Sequence, residues 1–287
     1  MPQQPLAYLL PEFLESAEAR PIRILAEYLE PLRRFREQKI QDTVVFFGSA
    51  RVDSRERAER ALLTLRARGV QDADETYEKE LHKSRKAVEW ARYYEDAREL
   101  ARLLATWTVS LPFENHRFVV TSGGGPGIME AANRGAREGG GKTIGLNIRL
   151  PFEQGANPYI TDGLHFEFHY FFMRKFWFAY LAKALVIFPG GFGTMDELME
   201  TLTLVQTDKL SKQIAIVLYG REYWEKVLDL KPMAEWGAIA EKDLELLHYA
   251  DTPVHAFEHL RDHLITHHLE PATEQEAAAP GIAKTRG

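Results

Sequence analysis

Cysteine is missing from all 287 residues. Its absence excludes disulfides, thiol catalysis and cysteine metal sites, and is compatible with a reducing cytosol. An excess of positive charge is missing too. Lys and Arg total 36 against 42 Asp and Glu, for a net charge of −6. General nucleic-acid binders are usually basic, so no nucleic-acid partner is expected. Long hydrophobic runs are also absent. The most apolar window, residues 166–188, is broken by His169, Arg174, Lys175 and Lys183, which a membrane span tolerates poorly. The N-terminal MPQQPLAYLLPEFLESAEAR has no basic n-region and no long apolar run, so it does not read as a secretory signal. Together these absences predict a cytoplasmic protein with no membrane partner.

Two nucleotide fingerprints are absent as well. The segment Ser122-Gly-Gly-Gly-Pro-Gly127 leads into a helical stretch. Read as G-x-G-x-x-G from Gly123, it puts Ile128 where the third glycine belongs; read from Gly125, it puts Glu130 there. No Gly-Lys-Ser/Thr closes it as a Walker A loop. NAD and ATP chemistry both lose ground, and with them an oxidoreductase. No internal repeat is evident.

What is present is alternation. Apolar strands are predicted at Thr43–Phe47, Phe118–Ser122, Thr143–Asn147, Leu164–Phe168, Ala184–Phe188 and Ile214–Tyr219, with an edge strand at Leu246–Ala250. Helices are predicted between them, including Ser54–Arg68 capped by Gly69, Glu75–Trp107, Ile128–Glu138, His169–Lys183 and Pro253–Leu269. Strands alternating with helices imply a three-layer α/β sandwich with a mainly parallel sheet. The body runs from 41 to 269. Residues 1–40 form a helical extension that Pro11, Pro21 and Pro31 punctuate into short pieces. The basic run Arg33, Arg34, Arg36, Lys39 reads as the solvated face of a helix packed through Leu25, Tyr28, Leu29 and Leu32. Residues 270–287, rich in Ala, Glu, Thr and Pro, read as a disordered tail.

Two helices carry unusual patterns. In the second long helix Trp90, Tyr93, Tyr94, Ala97, Leu100, Ala101 and Leu104 make an apolar stripe, and a stripe at this spacing is core far more often than a ligand box. The helix 169–183 is aromatic almost all round. A helix apolar on every face must be buried on every face. One sheet does not cover it, so a second subunit, and hence a homodimer, is expected. In the last helix His255, His259, His263 and His267 recur every four residues. Such a stripe can bind Zn²⁺, but no H-E-x-x-H signature accompanies it, and a solvated stripe is the better reading. No metal and no cofactor are expected.

The candidate site centres on Phe171–Gln206. Its turn Pro189-Gly190-Gly191-Phe192-Gly193-Thr194 opens a helix at the carboxyl end of a strand. Unpaired amides, the Thr194 hydroxyl and a helix N-terminus at one point suit a phosphate monoester. Glycine lets the backbone approach the anion closely. Asp196 and Glu197 lie in the same first turns; helix-dipole stabilisation explains them as readily as catalysis does. Arg174 either reaches the phosphate or organises Glu197. A carboxylate beside a sugar phosphate points to glycosidic chemistry, because it stabilises an oxocarbenium-like state. The loop Gly123, Gly124, Gly125 supplies another polar wall. Gly48-Ser49 after the first strand is a weak signal by itself. Glu153 and Gln154, in the loop after the third strand, are candidate ligand contacts, and equally a surface loop.

These motifs resemble one family. Pro189-Gly-Gly-Phe-Gly-Thr-Met-Asp-Glu197 fits PGGxGTxxE, the signature of the LOG (Lonely Guy) family. Arg174-Lys175 lies at the spacing of that family's paired Arg-Lys, Ser122 to Glu130 is similar to its other glycine loop, and Phe47-Gly48-Ser49 to its first-strand turn. The resemblance covers roughly residues 43–220. It implies a Rossmann-like homodimer that hydrolyses nucleoside 5'-monophosphates, cytokinin ribotides or AMP, to free base and ribose 5-phosphate. It implies Arg174 and Glu197 as the catalytic pair. It places Lys175 and the segment from Gly190 to Asp196 (Gly191, Phe192, Gly193 and Thr194 included) at the nucleotide, with Glu153 as a looser substrate contact. An older label for such proteins, lysine decarboxylase, has no pyridoxal-binding context here. The segment 52–107 and the N-terminal extension depart from compact family members. A carrier of the same wider fold, holding a phosphorylated ligand without cleaving it, is the alternative; Glu197 argues against it, since a phosphate binder gains nothing from a nearby negative charge.

Overall fold

The computed structural model describes residues 5–67, 75–150, 155–210 and 212–269. Glu153, Gln154, the Gly69 cap and the tail 270–287 lie outside the described residues. A short helix α1 (Pro11–Glu15) leads into α2 (Arg20–Glu37). Then follow β1 (Thr43–Phe47), α3 (Arg55–Ala67), α4 (Glu75–Val109), β2 (Val119–Ser122), α5 (Ile128–Glu138), β3 (Thr143–Ile148) and β4 (His165–Phe168). The second half runs α6 (Phe171–Leu181), β5 (Ala182–Ile187), α7 (Phe192–Gln206), β6 (Ala215–Tyr219), α8 (Arg221–Val227), α9 (Lys231–Glu235), β7 (Leu247–Ala250) and α10 (Pro253–Leu264).

The strands form one seven-stranded sheet in the order β4-β3-β2-β1-β5-β6-β7. Every neighbouring pair is parallel, so the predicted three-layer α/β fold holds. Both faces are covered, which is why the strands read as continuous apolar runs. Val44, Phe46 and Val186 pack with α4, α5 and α10 on one side. Val45, Phe47, Leu185 and Ile187 pack with α6 and residues of α2 on the other. The chain winds outward from β1 to β4, then returns to β5 and winds the other way. The carboxyl ends of β1 and β5 therefore flank a topological switch point, the usual ligand crevice of such sheets.

Several expectations about helices are corrected. Pro31 does not end a helix: α2 runs unbroken through it. A proline there removes the hydrogen bond to the carbonyl four residues back, that of Glu27. The Trp177 indole of α6 donates to that same carbonyl at 2.9 Å, so the freed acceptor is satisfied by another helix. The aromatic helix is shorter than predicted, and β5 begins at the residue after it. Part of its cover comes from α2 of the same chain. Tyr28 of α2 packs on Phe176 and Trp177. Met173, Trp177, Phe178 and Leu181 are buried, while Phe171 and Phe172 stay 51% and 50% exposed. Leu25 and Leu29, predicted to pack, are exposed. The last predicted helix widens into a π turn over Ile265–Leu269.

Glu27 makes α2 part of the site's scaffold. Its two carboxylate oxygens accept from the amides of His169 (2.7 Å) and Tyr170 (3.2 Å), the residues entering α6. A carboxylate at a helix N-terminus also meets the positive end of its dipole. No helix among the described residues is long and apolar enough to cross a membrane.

The Pro31–Trp177 arrangement is testable by a double-mutant cycle. Trp177→Phe leaves the Glu27 carbonyl unpaired and is expected to cost about 1–3 kcal/mol in denaturant unfolding. In a Pro31→Ala background the restored amide competes for that carbonyl, so the same change is expected to cost less. Equal costs in both backgrounds would show that the indole hydrogen bond is not what compensates the proline.

Candidate active site

Three strand-end turns meet at the switch point. The Ser49 amide donates to the Pro189 carbonyl at 3.0 Å, and the Ile128 amide donates to the Ser49 carbonyl at 3.1 Å. The turn after β1 is thus tied to both glycine loops. Gly127 has φ +71° and its missing Cβ would lie 2.3 Å from the Ser49 carbonyl oxygen, so only glycine allows this approach. Above the three turns lies a cavity of about 640 Å³, within the range of ordinary ligand sites.

The turn after β5 forms one wall. Helix α7 starts at Phe192 with no side-chain cap on its first amides. A Cβ on Gly190 would collide with Thr194 Oγ1 at 2.1 Å, whereas Gly191 and Gly193 have nothing within 4 Å of theirs. The first glycine is needed for packing; the other two leave open the space over the amides. Phe192 stands 94% exposed at the rim. One face of α7, Thr194, Glu197, Leu198 and Thr201, is buried, which turns Glu197 inward and leaves the Asp196 side chain 60% exposed.

Arg174, from α6, approaches Glu197 to 3.8 Å. Its guanidinium lies over the rings of Phe171 and Phe178, at 5.3 and 5.6 Å from their centroids. Burial pulls its pKa down, against the opposing pull of Glu197 and Asp196. Burial pushes the Glu197 carboxyl up to about 7, although Lys175 and Arg174 oppose the shift. Lys175 Nζ lies 3.7 Å from the same Oε1. Both cations are in ion-pair range yet too far for a hydrogen bond, and Glu197 Oε1 and Arg174 Nε are left without hydrogen-bond partners. Such atoms are rare in folded proteins, and each calls for an explanation.

The residues singled out in the sequence divide. Ser49, Gly123, Arg174, Gly190, Gly191, Phe192, Gly193, Thr194 and Glu197 line the cavity. Lys175 does not: it turns behind Glu197 to pair with Asp196 at 2.8 Å and Glu200 at 2.6 Å, and Asp196 stays with it. Burial lowers the Lys175 pKa, but these hydrogen bonds outweigh it and raise the value. Gly124 and Gly125 also lie off the cavity, their carbonyls held by the Asn157 side chain at 3.0 and 3.1 Å. Arg51, Trp90, Met129, Phe178 and Tyr223 line it without having been singled out. Arg51 adjoins the Gly-Ser turn and makes no ion pair among the described residues. The stripe reading hid Trp90: Tyr93 to Leu104 are buried as predicted, but Trp90 is only half-buried and faces the cavity.

The histidine stripe lies elsewhere. His255 and His267 are exposed, while His259 stacks on His248 of β7 at 3.6 Å. Among the described residues no three His, Cys, Asp or Glu side chains are grouped to hold a metal ion.

Fold and site together define the class, a Rossmann-like α/β protein with its cavity at the sheet's switch point. The resemblance to the LOG family stands within that class. The family model described as "Possible lysine decarboxylase" matches residues 129–260. The "Probable cytokinin riboside 5'-monophosphate phosphoribohydrolase LOG6" of Arabidopsis thaliana is 26% identical over 177 residues, covering 62% of this chain and 84% of that protein. The "Cytokinin riboside 5'-monophosphate phosphoribohydrolase LOG" of Oryza sativa subsp. japonica is 28% identical over 133 residues, covering 44% of this chain and 49% of that protein. Among solved structures, the Moco carrier protein from Chlamydomonas reinhardtii is 19% identical with a TM-score of 0.45, covering 79% of this chain and 99% of that one. The fold class rests on the sheet itself.

The raised Glu197 pKa has a consequence for stability. Unfolded, the carboxyl titrates near 4.5; folded, near 7. Between these values the folded chain holds the extra proton, so its stabilising contribution is lost as pH rises through 7. Glu197→Gln cannot ionise. It is expected to melt close to the parent's temperature at pH 4.5 and several degrees higher at pH 8, a gain of about 3 kcal/mol. A variant no more stable than the parent at pH 8 would contradict the burial cost.

Proposed function

We propose that this protein is a cytoplasmic enzyme that hydrolyses the N-glycosidic bond of nucleoside 5'-monophosphates, AMP or cytokinin ribotides, to free base and ribose 5-phosphate. One observation carries the reading: a buried carboxylate titrating near 7, set 3.8 Å from an arginine on the wall of a nucleotide-sized cavity. The similarity to the LOG relatives supports it.

The α7 start takes the 5'-phosphate on its uncapped amides, helped by the helix dipole. Arg51 and Arg174 supply positive charge beside it. Breaking the bond between C1' and the base nitrogen builds positive charge on the ribose. The Glu197 carboxylate stabilises that charge and takes a proton from the attacking water, whose oxygen forms the new bond to C1'. The departing nitrogen receives the proton that Glu197 took from the water, so the base leaves neutral and the carboxylate is restored. Glu197, titrating near neutrality, is suited both to take its proton and to give it up again. Lys175 holds the neighbouring carboxylates Asp196 and Glu200, which leaves Glu197 as the acid that lines the cavity among the described residues. The scheme requires no metal and no cofactor.

The partner reading follows from α6. Its exposed Phe172 and Phe176 line an apolar groove with Leu25 and Tyr28 of α2. We propose that two copies pair over this groove, which steadies the helix that aims Arg174.

Incubating the protein with AMP and with an N6-isoprenyl AMP, followed by chromatography, is expected to show free base. Glu197→Gln is expected to lose about 10²–10⁴-fold in rate, and kcat/KM of the parent to rise with pH on a limb centred near 7. Binding of both nucleotides without cleavage would sink the enzyme reading in favour of a carrier. Replacing Phe172 and Phe176 together by Ala is expected to give a monomer of reduced activity in sedimentation and rate assays. A fully active monomer would separate pairing from catalysis.

A further inference from the structure

The α3–α4 segment, between β1 and β2, contributes no strand to the sheet. It nevertheless reaches the site through one side chain. Trp90 of α4 forms the cavity wall on the β6 side, together with Tyr223 of α8. Tyr223 is fixed there, its hydroxyl donating to the Gly190 carbonyl at 2.8 Å. Trp90 meets Tyr223 at 5.6 Å with an interplanar angle of 88°, and Tyr93 at 6.0 Å and 81°. Both contacts are edge-on, so no ring among the described residues stacks in parallel on the indole. Its N–H donates to no protein acceptor among the described residues. The helix behind it is held firmly: the Tyr94 hydroxyl donates to buried Glu130 at 2.7 Å, and Leu100 and Leu104 are fully buried.

We propose that Trp90 is the platform on which the base of the nucleotide stacks, and that α4 thereby sets the preference for a flat aromatic leaving group. This inference rests on the nucleotide reading above and names the part of the site that selects the base. An indole face binds any planar base, because every base has a π-face and stacking needs no particular donor pattern. The cavity wall here offers a ring and one N–H rather than a set of paired donors and acceptors. Such a wall discriminates base from no base strongly, and one base from another weakly. N6-substituted and plain adenines are both accommodated.

The test separates base recognition from cleavage. In a Glu197→Gln background, where AMP turnover is slowed about 10²–10⁴-fold, calorimetric titrations are run with AMP and with ribose 5-phosphate. Each is measured with Trp90 intact, with Trp90→Phe and with Trp90→Ala. Trp90→Ala is expected to weaken AMP binding about tenfold or more and to leave ribose 5-phosphate binding unchanged. Trp90→Phe keeps a ring and is expected to retain most of the AMP affinity. Melting curves establish that each variant is folded, and if the alanine variant is not, Trp90→Leu, which keeps bulk but no ring, carries the test: it is expected to weaken AMP binding about tenfold while ribose 5-phosphate binding stays unchanged, and unaltered AMP affinity in it would overturn the proposal. An equal loss for both ligands would overturn the proposal, since Trp90 would then act through Tyr223 and the phosphate turn. Unchanged AMP affinity in folded Trp90→Ala would overturn it as well. Because the readout is binding, a protein that holds AMP but never cleaves it leaves this test intact.

Discussion

The site depends on a pair of backbone hydrogen bonds at Ser49. Through its amide and carbonyl, the turn after β1 is joined to the turn after β5 and to the start of α5. Each partner is glycine-rich because the chains approach within a distance that a Cβ would block, as at Gly127. The consequence is geometric. Two helix starts and the turn between them are locked as a unit across the switch point, so the cavity floor is set by sheet register rather than by side-chain packing. Loops placed on a rigid scaffold in this way can hold functional groups precisely while remaining polar.

On that floor the decisive feature is an electrostatic imbalance. Glu197 lies at 7% side-chain exposure with two cations in range and no hydrogen bond to its Oε1. Desolvation therefore outweighs Coulomb attraction, and the carboxyl titrates near 7 rather than near 4.5. Lys175 is nearer to Asp196 and Glu200 than to Glu197. This distribution matters: had Lys175 bonded Glu197 directly, the carboxylate would be a strong ion-pair partner and a poor base. The other control runs through α2. Glu27 accepts the amides entering α6 and, through its carbonyl, the Trp177 indole, so the N-terminal segment determines where the helix bearing Arg174 lies.

Much of this was legible in the residues themselves. Continuous apolar strands alternating with helices required a covered parallel sheet, because period and burial constrain each other locally. The PGGFGT turn and Glu197 could be placed on one helix start for the same reason: their relation is a matter of a few residues along one chain segment. Relations across segments were not legible. Lys175 is adjacent to Arg174 in sequence, yet successive helical positions point about 100° apart, and only the packing of α6 on α7 decides which one faces the cavity. Trp90 belongs to a periodic stripe whose other members are core, but at its position on α4 the neighbouring space is the cavity rather than the sheet. Pro31 obeyed the rule that proline removes a hydrogen bond, but the compensating donor lies 146 positions away at Trp177. Sequence alone thus determined the layers, the strands and the helix start that faces the ligand crevice, because these follow from local period and turn chemistry. Tertiary structure decided the protonation of Glu197, the turning away of Lys175 and the arrival of Trp90, because burial and distance between remote segments exist only once the chain has closed on itself.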